Sequence, residues 1–419
     1  MPRSRPPIPA FAAASAGTYF ADQAILAALP LAAAQAGAGP GLTGALVAVQ
    51  AAAWLLVSLP AGALADRASR RTLMWGGAVL TLLGAALGAI LLSTGRALPH
   101  PAAPDPLALG GAAFLASSGV VLMALSMSAL LPTVIPPPAL PRANARIELA
   151  RATAMLAAPA IAGALVEAGR ADAAFLAAAA GGLAAMAAVA FVPMDPAAER
   201  SPPDTPDRRP SLVRAVRAGA VFVAANPVLR GIALCAIFWN MAFFALTALF
   251  VPYATGRLGL DARDIGVIWS VYGAGSLAGA LLAPVIVARV PVGAVLLFGP
   301  GVSLLAVLLL VAAPSGTAFV PVAAGFALFG FGPMLWLIVQ TSLRQTITPP
   351  ALMGRVGATV QFAIYGVRPL GALAAGALAA SVGVETAIGL PVALFAGSLA
   401  AIAISGLGRM RGMPATADA

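Results

Sequence analysis

The stretch Ala61-Gly62-Ala63-Leu64-Ala65-Asp66-Arg67-Ala68-Ser69-Arg70-Arg71 sets one acid and three arginines between two long apolar runs. A charged side chain deep in hydrocarbon costs at least about 2.5–3.5 kcal/mol on insertion scales, so the segment predicts a turn at a membrane surface. Gly62 permits close backbone approach, Asp66 can sit at a helix end, and Arg67, Arg70 and Arg71 form a compact cationic turn.

The composition agrees. Of 419 residues, 61% are hydrophobic and only 9% charged, against about a quarter charged in soluble domains. Too few polar side chains remain to cover a water-facing surface, which predicts a polytopic membrane protein. The net charge of +10 comes from 24 basic residues, every one an arginine, set in short clusters at the ends of apolar runs. No basic stripe with interleaved aromatics exists, so no nucleic-acid partner is expected. The single Cys235 lies in an apolar run and reads as a small buried hydrophobe; the single His100 lies in a Pro-rich loop, so neither a metal site nor a cofactor is expected. Met1–Pro7, with Arg3 and Arg5, can open a signal peptide, but the long apolar run that follows favours an uncleaved first span.

A helix needs about 20 apolar residues to cross a bilayer core. Such runs fall at 10–34, 41–64, 72–95, 107–135, 146–168, 171–193, 229–256, 264–288, 292–313, 317–342, 354–382 and 385–408, twelve in all. The break Asp195–Ser211 is rich in Pro and charge and reads as a solvated linker. Ser211 can cap a following helix in which Leu212, Val213, Val216 and Phe222 oppose Arg214 and Arg217, an amphipathic pattern suited to the inner membrane surface. The domains expected are 1–194, a six-helix bundle; 195–228, a cytoplasmic linker with the amphipathic helix; and 229–419, a second bundle with a short cytoplasmic tail. With both termini inside, 19 arginines fall on the inner side and 4 on the outer, which fits an even number of spans in the cytoplasmic (inner) membrane.

The two halves echo each other. Pro141–Arg146 leads into a span carrying Pro159 and Gly163, and Pro350–Arg355 leads into one carrying Pro369 and Gly371. Every third span is nearly featureless, and the sixth has no polar side chain from Ala173 to Val192. Those spans read as lipid-facing, and the others as lining a cavity; the alternative is that the small polar residues only pack helices together. The fold class is therefore an all-α membrane protein of twelve transmembrane helices, arranged as two pseudo-symmetric six-helix bundles.

Two formally charged side chains fall well inside spans, Asp22 and Arg368. Ser15, Tyr19 and Asp22 share one face of span one, and Gln361, Tyr365 and Arg368 follow i, i+4, i+7 on span eleven. Asp22 can alternate between protonated and ionised forms, the minimum needed to exchange a proton for a substrate. The alternatives are a static ion pair, or a carboxylate satisfied by Tyr19 and helix ends. Arg368 reads as the partner of Asp22 or as an anion contact; the alternative is that its guanidinium satisfies carbonyls freed by Pro369. Further cavity candidates are Gln50, Trp54, Trp239, Asn240, Trp269, Tyr272, Trp336 and Gln340, whose aromatics and amides would suit an apolar substrate with a few polar groups. At the inner surface, Asn144, Arg146, Glu148 and Arg151 read as a latch, and Asp66 and Arg355, with Gly62, Arg67, Arg70 and Arg71 of the same turn, as groups closing the two halves on the cytoplasmic side.

The sequence resembles the major facilitator superfamily at several of these places. Its signature between helices two and three, G-x-L-A-D-R-x-G-R-R, is met at Gly62, Leu64, Ala65, Asp66, Arg67, Arg70 and Arg71, with Ser69 for the usual glycine. Asn144–Gly163, Ser211–Leu234 and Pro349–Gly376 resemble the macrolide-efflux and enterobactin-exporter branch. That resemblance implies proton-driven export of drugs, siderophores or secreted metabolites. The antiporter signature G-P-x-x-G-G is only partly kept, since Ala158 and Ala162 replace glycines around Pro159 and Gly163, and the basic residue common in span four of drug antiporters is absent.

The expected function is a secondary transporter, exporting a small amphipathic molecule against protons by alternating access. The alternatives are an importer or lipid flippase on the same scaffold, or a non-transporting receptor. An integral-membrane enzyme is disfavoured because the spans hold no paired carboxylates, His cluster or nucleophile–base set. ATP-driven transport is disfavoured because the chain has no lysine and so no phosphate-binding G-x-x-x-x-G-K loop. The expected partners are the substrate, protons and the lipid bilayer, with the chain a monomer.

Overall fold

The structure is a computed structural model, and it describes residues 7–65, 69–97, 105–136, 139–193, 212–349 and 352–413. The chain divides into two compact units, one of residues 1–206 with 261–270, the other of 207–260 with 271–419. Among the described residues, eleven helices are long and apolar enough to cross a membrane. The 28-residue helix at Ile8–Gln35 matches them in length. Its mean hydropathy is lowered by Asp22 and Gln23, side by side near its middle.

Unit one contains α1 (Ile8–Gln35), α2 (Pro40–Ala65), α3 (Arg70–Ala97), α4 (Pro106–Val134), α5 (Leu140–Glu167) and α6 (Ala171–Val189). Helix α1 packs on α5 and α6, α3 packs on α4 and α6, and α2 packs on α4. Phe11, Met74, Met123, Leu130 and Val189 form its buried core at one end. Hydrocarbon solvates leucine as well as a protein interior does, so close approach through small residues, not apolar burial, holds such helices together. Thr81 illustrates this: its Oγ1 donates to its own helix at the Gly77 carbonyl (3.0 Å) and lies 3.2 Å from the Ala116 carbonyl of α4. Helix α4 starts where the Asp105 carboxylate accepts from the Leu107 N–H. The expected span 146–168 begins earlier, at Leu140, with Pro141 in the first turn, where its missing N–H costs nothing. The charged approach Arg142–Arg151 is therefore helical.

Unit two contains α7 (Leu212–Ala225), α8 (Pro227–Gly256), the greater part of α9 (Ala262–Val287), α10 (Val292–Ala312), α11 (Phe319–Ile347), α12 (Met353–Val382), α13 (Val384–Ala387) and α14 (Gly389–Ile404), followed by a 3-10 turn at Leu407–Arg409. Helix α8 packs on α12 and α14, and α10 packs on α11 and α14. The expected last span is interrupted. Gly383, in the left-handed region at φ 85°, ends α12, and the single turn of α13 precedes α14. The buried Cys235 sits 3.3 Å from the Ser398 Oγ across the α8–α14 contact.

The amphipathic helix expected after Ser211 is α7. It is docked by protein contacts: α7 packs against α12 and α8, with Val223 buried among Leu229, Val356 and Val360. Arg217 and Val221 remain exposed. The cap expected from Ser211 and the linker 195–211 lie outside the described residues, as do His100, Asp66 and Arg67.

One close approach makes a direct prediction. A Cβ built on Gly371 of α12 would run into the Met241 backbone carbonyl of α8, a rigid obstacle. Gly371→Leu therefore overpacks the α8–α12 contact and lowers stability by about 1–3 kcal/mol. Thermal unfolding in detergent should show a lowered midpoint; an unchanged one would mean the two helices are free to separate.

Candidate functional site

In unit two the polar residues of α8 and α12 meet. Asn240 sits on α8, with its Nδ2 donating to the Ala236 carbonyl at 2.9 Å, one turn back. That bond orients the amide so that Oδ1 accepts from Arg368 Nε at 3.0 Å. The guanidinium carbon lies 4.8 Å from the Tyr365 ring centroid and 5.3 Å from that of Phe244. A cation over aromatic faces in a dry setting gains roughly 0.5–2 kcal/mol per ring. The three interactions fix the plane of the guanidinium, and Gln361 Nε2 extends the stripe by donating to the Tyr365 hydroxyl at 3.4 Å. Gln361, Tyr365 and Arg368 are thus one structural group, as the i, i+4, i+7 spacing implies.

Beside them lies a run of ring contacts. Trp239 stacks on Phe243 with centroids 5.3 Å apart, and Phe243 reaches Tyr272 at 6.0 Å and Phe329 at 5.9 Å. Trp239 Nε1 donates to Ser303 Oγ at 2.9 Å, which holds the indole edge-on while its face stays in the cluster. Trp239, Phe243, Phe244, Tyr272, Tyr365 and Arg368 all keep part of their surface exposed. An aromatic cluster ending in a cation can hold an apolar body by ring contacts and an oxyanion by charge-assisted hydrogen bonds.

Unit one carries the other half of the candidate residues. Asp22 lies near the middle of α1, partly exposed, and accepts from Gln23 Nε2 at 3.2 Å. One turn away, the Tyr19 ring lies under the Arg151 guanidinium, 5.4 Å from its carbon, and Arg151 pairs with Glu148 at 2.6 Å. Arg151 was expected in the surface latch and Tyr19 in the span-one stripe; the structure brings them together on the α1–α5 contact. Arg71 has a different position. Its Nη2 donates to the Ala190 carbonyl at 2.8 Å, closing the C-terminal end of α6, while its Nε is buried with no hydrogen-bond partner. Arg70 stands beside it at the start of α3, and Gly62 lies in α2.

The remaining candidates are dispersed. Gln50 is buried in α2 with its Oε1 unpartnered, and Trp54 is partly exposed one turn on. Gln340 is buried and turned to the Leu337 carbonyl (3.2 Å) and Thr341 Oγ1 (2.8 Å) of its own helix. Trp336 packs against Gly299 with its Nε1 buried and unpartnered. Trp269 lies in the 261–270 segment that packs with unit one. In that segment Gly266 meets Gly163 of α5 so closely that a Cβ on either would press on backbone, and Glu167 Oε2 accepts from the Ala262 N–H at 3.0 Å. Arg355 is half-buried at the start of α12, its carbonyl accepting from Thr359 Oγ1 at 2.9 Å. Among the described residues no cluster of three or more His, Cys, Asp or Glu can hold a metal.

Sequence reasoning passed over Phe243, Phe244, Phe329 and Ser303. In so apolar a chain a phenylalanine carries no contrast. The available signal was spacing, since Phe243 and Phe244 follow Asn240 at i+3 and i+4.

A helical, multi-pass architecture with ionisable groups at mid-helix marks a membrane protein with a functional site inside its spans. The chain belongs to the Major Facilitator Superfamily, whose family profile matches residues 11–372. It is accordingly a secondary transporter and not an enzyme. No curated protein matches it. Solved structures share the fold at low identity. A POT family transporter in complex with a thioalcohol-conjugated peptide superimposes with a TM-score of 0.73 at 13% identity, covering 95% of this chain and 94% of that one. A bacterial homologue of the human lysosomal transporter Spinster, inward-facing and unoccupied, gives 0.70 at 14% identity, covering 96% of each. A bacterial homologue of the iron transporter ferroportin, also inward-facing, gives 0.67 at 16% identity, covering 95% and 98%.

Proposed function

We propose that this transporter is a proton-coupled exporter of small amphipathic molecules, working by alternating access in the cytoplasmic membrane with both termini inside and as a monomer. Of the family's branches, the macrolide-efflux and enterobactin-exporter one fits best, on the patches Asn144–Gly163, Ser211–Leu234 and Pro349–Gly376. The observation that carries the reading is the presence of one acid and one base in the middle of span helices, Asp22 and Arg368, each partly exposed. An ionisable group at that depth carries an insertion cost, which makes it a functional-site candidate by default.

In this reading Asp22 is the proton carrier. Its charge changes as the proton leaves, and a proton drives the cycle only through its different affinity for the two end states. Arg368, held in plane by Asn240, Tyr365 and Phe244, contacts the polar end of the substrate, a carboxylate or phenolate. Trp239, Phe243 and Tyr272 take its apolar body. Glu148, Arg151 and Arg355, with Asp66 and Arg67, belong to the latch that changes between states.

Expression in an efflux-deficient host tests the reading against a panel of macrolides, catecholate siderophores and anionic dyes. Resistance or secretion should rise for at least one amphipathic compound. Accumulation of a panel compound inside the cells, in place of its removal, would reverse the proposed direction.

A further inference from the structure

Along unit two, α8 and α14 leave an open groove of about 480 Å³ between them. Its α8 wall is Pro227, Arg230, Leu234 and Phe238; its α14 wall includes Ala401 and Ile404. Pro227 and Phe238 are eleven helical steps apart, which at about 1.5 Å per residue gives a length of roughly 16 Å. That is half of the ~30 Å hydrocarbon core, the depth of one leaflet. The groove is polarised along this length. Beyond Arg230 the walls are apolar towards Phe238, and no acidic residue lines it. At the other end the exposed Arg230 lies four residues after Asn226, whose side chain caps the start of α8. It therefore stands where a span meets the headgroup layer. Its Nη1 donates to the Ala224 carbonyl of α7 at 3.0 Å, which holds the guanidinium at the mouth of the groove.

We infer that this groove is a binding site for an anionic phospholipid, with one acyl chain along Leu234 and Phe238 and the phosphate on Arg230. Charge selects the headgroup, and the leaflet-length apolar trough selects the chain. The site uses none of the residues assigned to transport, so it stands or falls apart from the proposed function.

The test uses the full chain in nanodiscs containing phosphatidylglycerol with a photoactivatable diazirine on its acyl chain. Peptide mapping should place the label on residues 234–238 and 400–404. The same diazirine on phosphatidylcholine should label these positions about fivefold less, the factor that corresponds to about 1 kcal/mol for one arginine near an anionic surface. Arg230→Gln should remove this preference at these peptides and leave labelling elsewhere unchanged, while Arg230→Lys should keep it. Ala400→Phe, which fills the trough, should reduce labelling by both lipids. Equal labelling by the two lipids, or a preference that survives in Arg230→Gln, would overturn the inference. So would a dimer that shields these peptides, since the groove would then be an interface between two copies.

Discussion

Asp22→Asn is expected to abolish proton-driven transport while leaving membrane abundance at the wild-type level. Asparagine has nearly the same shape and keeps a hydrogen-bonding oxygen for Gln23, which donates to Asp22 at 3.2 Å, so packing on α1 is preserved. It cannot ionise. Each pKa unit of difference between two conformational states is worth about 1.4 kcal/mol of driving force, a factor of ten in the equilibrium between them. Removing the group should therefore cut gradient-driven transport tenfold or more, to background. Passive exchange of substrate down its own gradient should continue, because the binding cluster of unit two is untouched. Wild-type rates should vary with pH and the variant's should not. Resistance unchanged in Asp22→Asn, at equal abundance, would remove this carboxylate from the mechanism.

Arg368→Gln should weaken substrate binding by roughly 10- to 100-fold. Hydrogen bonds to a charged group contribute about 1.5–3 kcal/mol, and 1.4 kcal/mol is a factor of ten. Glutamine can still meet Asn240 but brings no charge, no two-pronged donor and no cation for Tyr365 and Phe244. Arg368→Lys should fall between the two, because an ammonium keeps the charge and loses the planar fork and the stacking. The change can be read by calorimetry, or from tryptophan fluorescence, since Trp239 stacks on Phe243 within the same cluster. Thermal stability should drop only slightly, as Arg368 is partly exposed. A binding constant unaltered in Arg368→Gln would mean the guanidinium serves the helix and not the ligand.

Most of the architecture was legible in the sequence because hydropathy alone marks a span. The expected run 292–313 and the observed Val292–Ala312 differ by a single residue. Boundaries moved where charge and helix propensity compete. Helix α5 starts six residues before the expected span because Arg142–Arg151 can be helical outside hydrocarbon, which hydropathy does not register. The break at Ile388 between α13 and α14 was missed because Ala387-Ile388-Gly389-Leu390 is apolar, so hydropathy runs through it without a gap.

The candidate site was legible to the extent that it is polar. Asp22 and Arg368 stand out because charge inside a span is costly, and the Gln361–Tyr365–Arg368 stripe follows from helical period. Contacts between distant helices have no such period. Nothing in the spacing of Tyr19 and Arg151 announces that one ring would lie under the other's guanidinium. Arg71 looked like its neighbours in a cationic turn, and only the fold shows it donating to the end of α6.

The most direct test of proton-coupled export is a flux measurement in proteoliposomes loaded with a pH-sensitive dye and supplied with the compound that gives the strongest resistance. The account predicts that the compound's movement shifts lumenal pH in the wild type, that an imposed pH gradient drives its accumulation, and that both effects vanish in Asp22→Asn. Uptake that ignores the pH gradient, or that proceeds equally well without the Asp22 carboxylate, would contradict it.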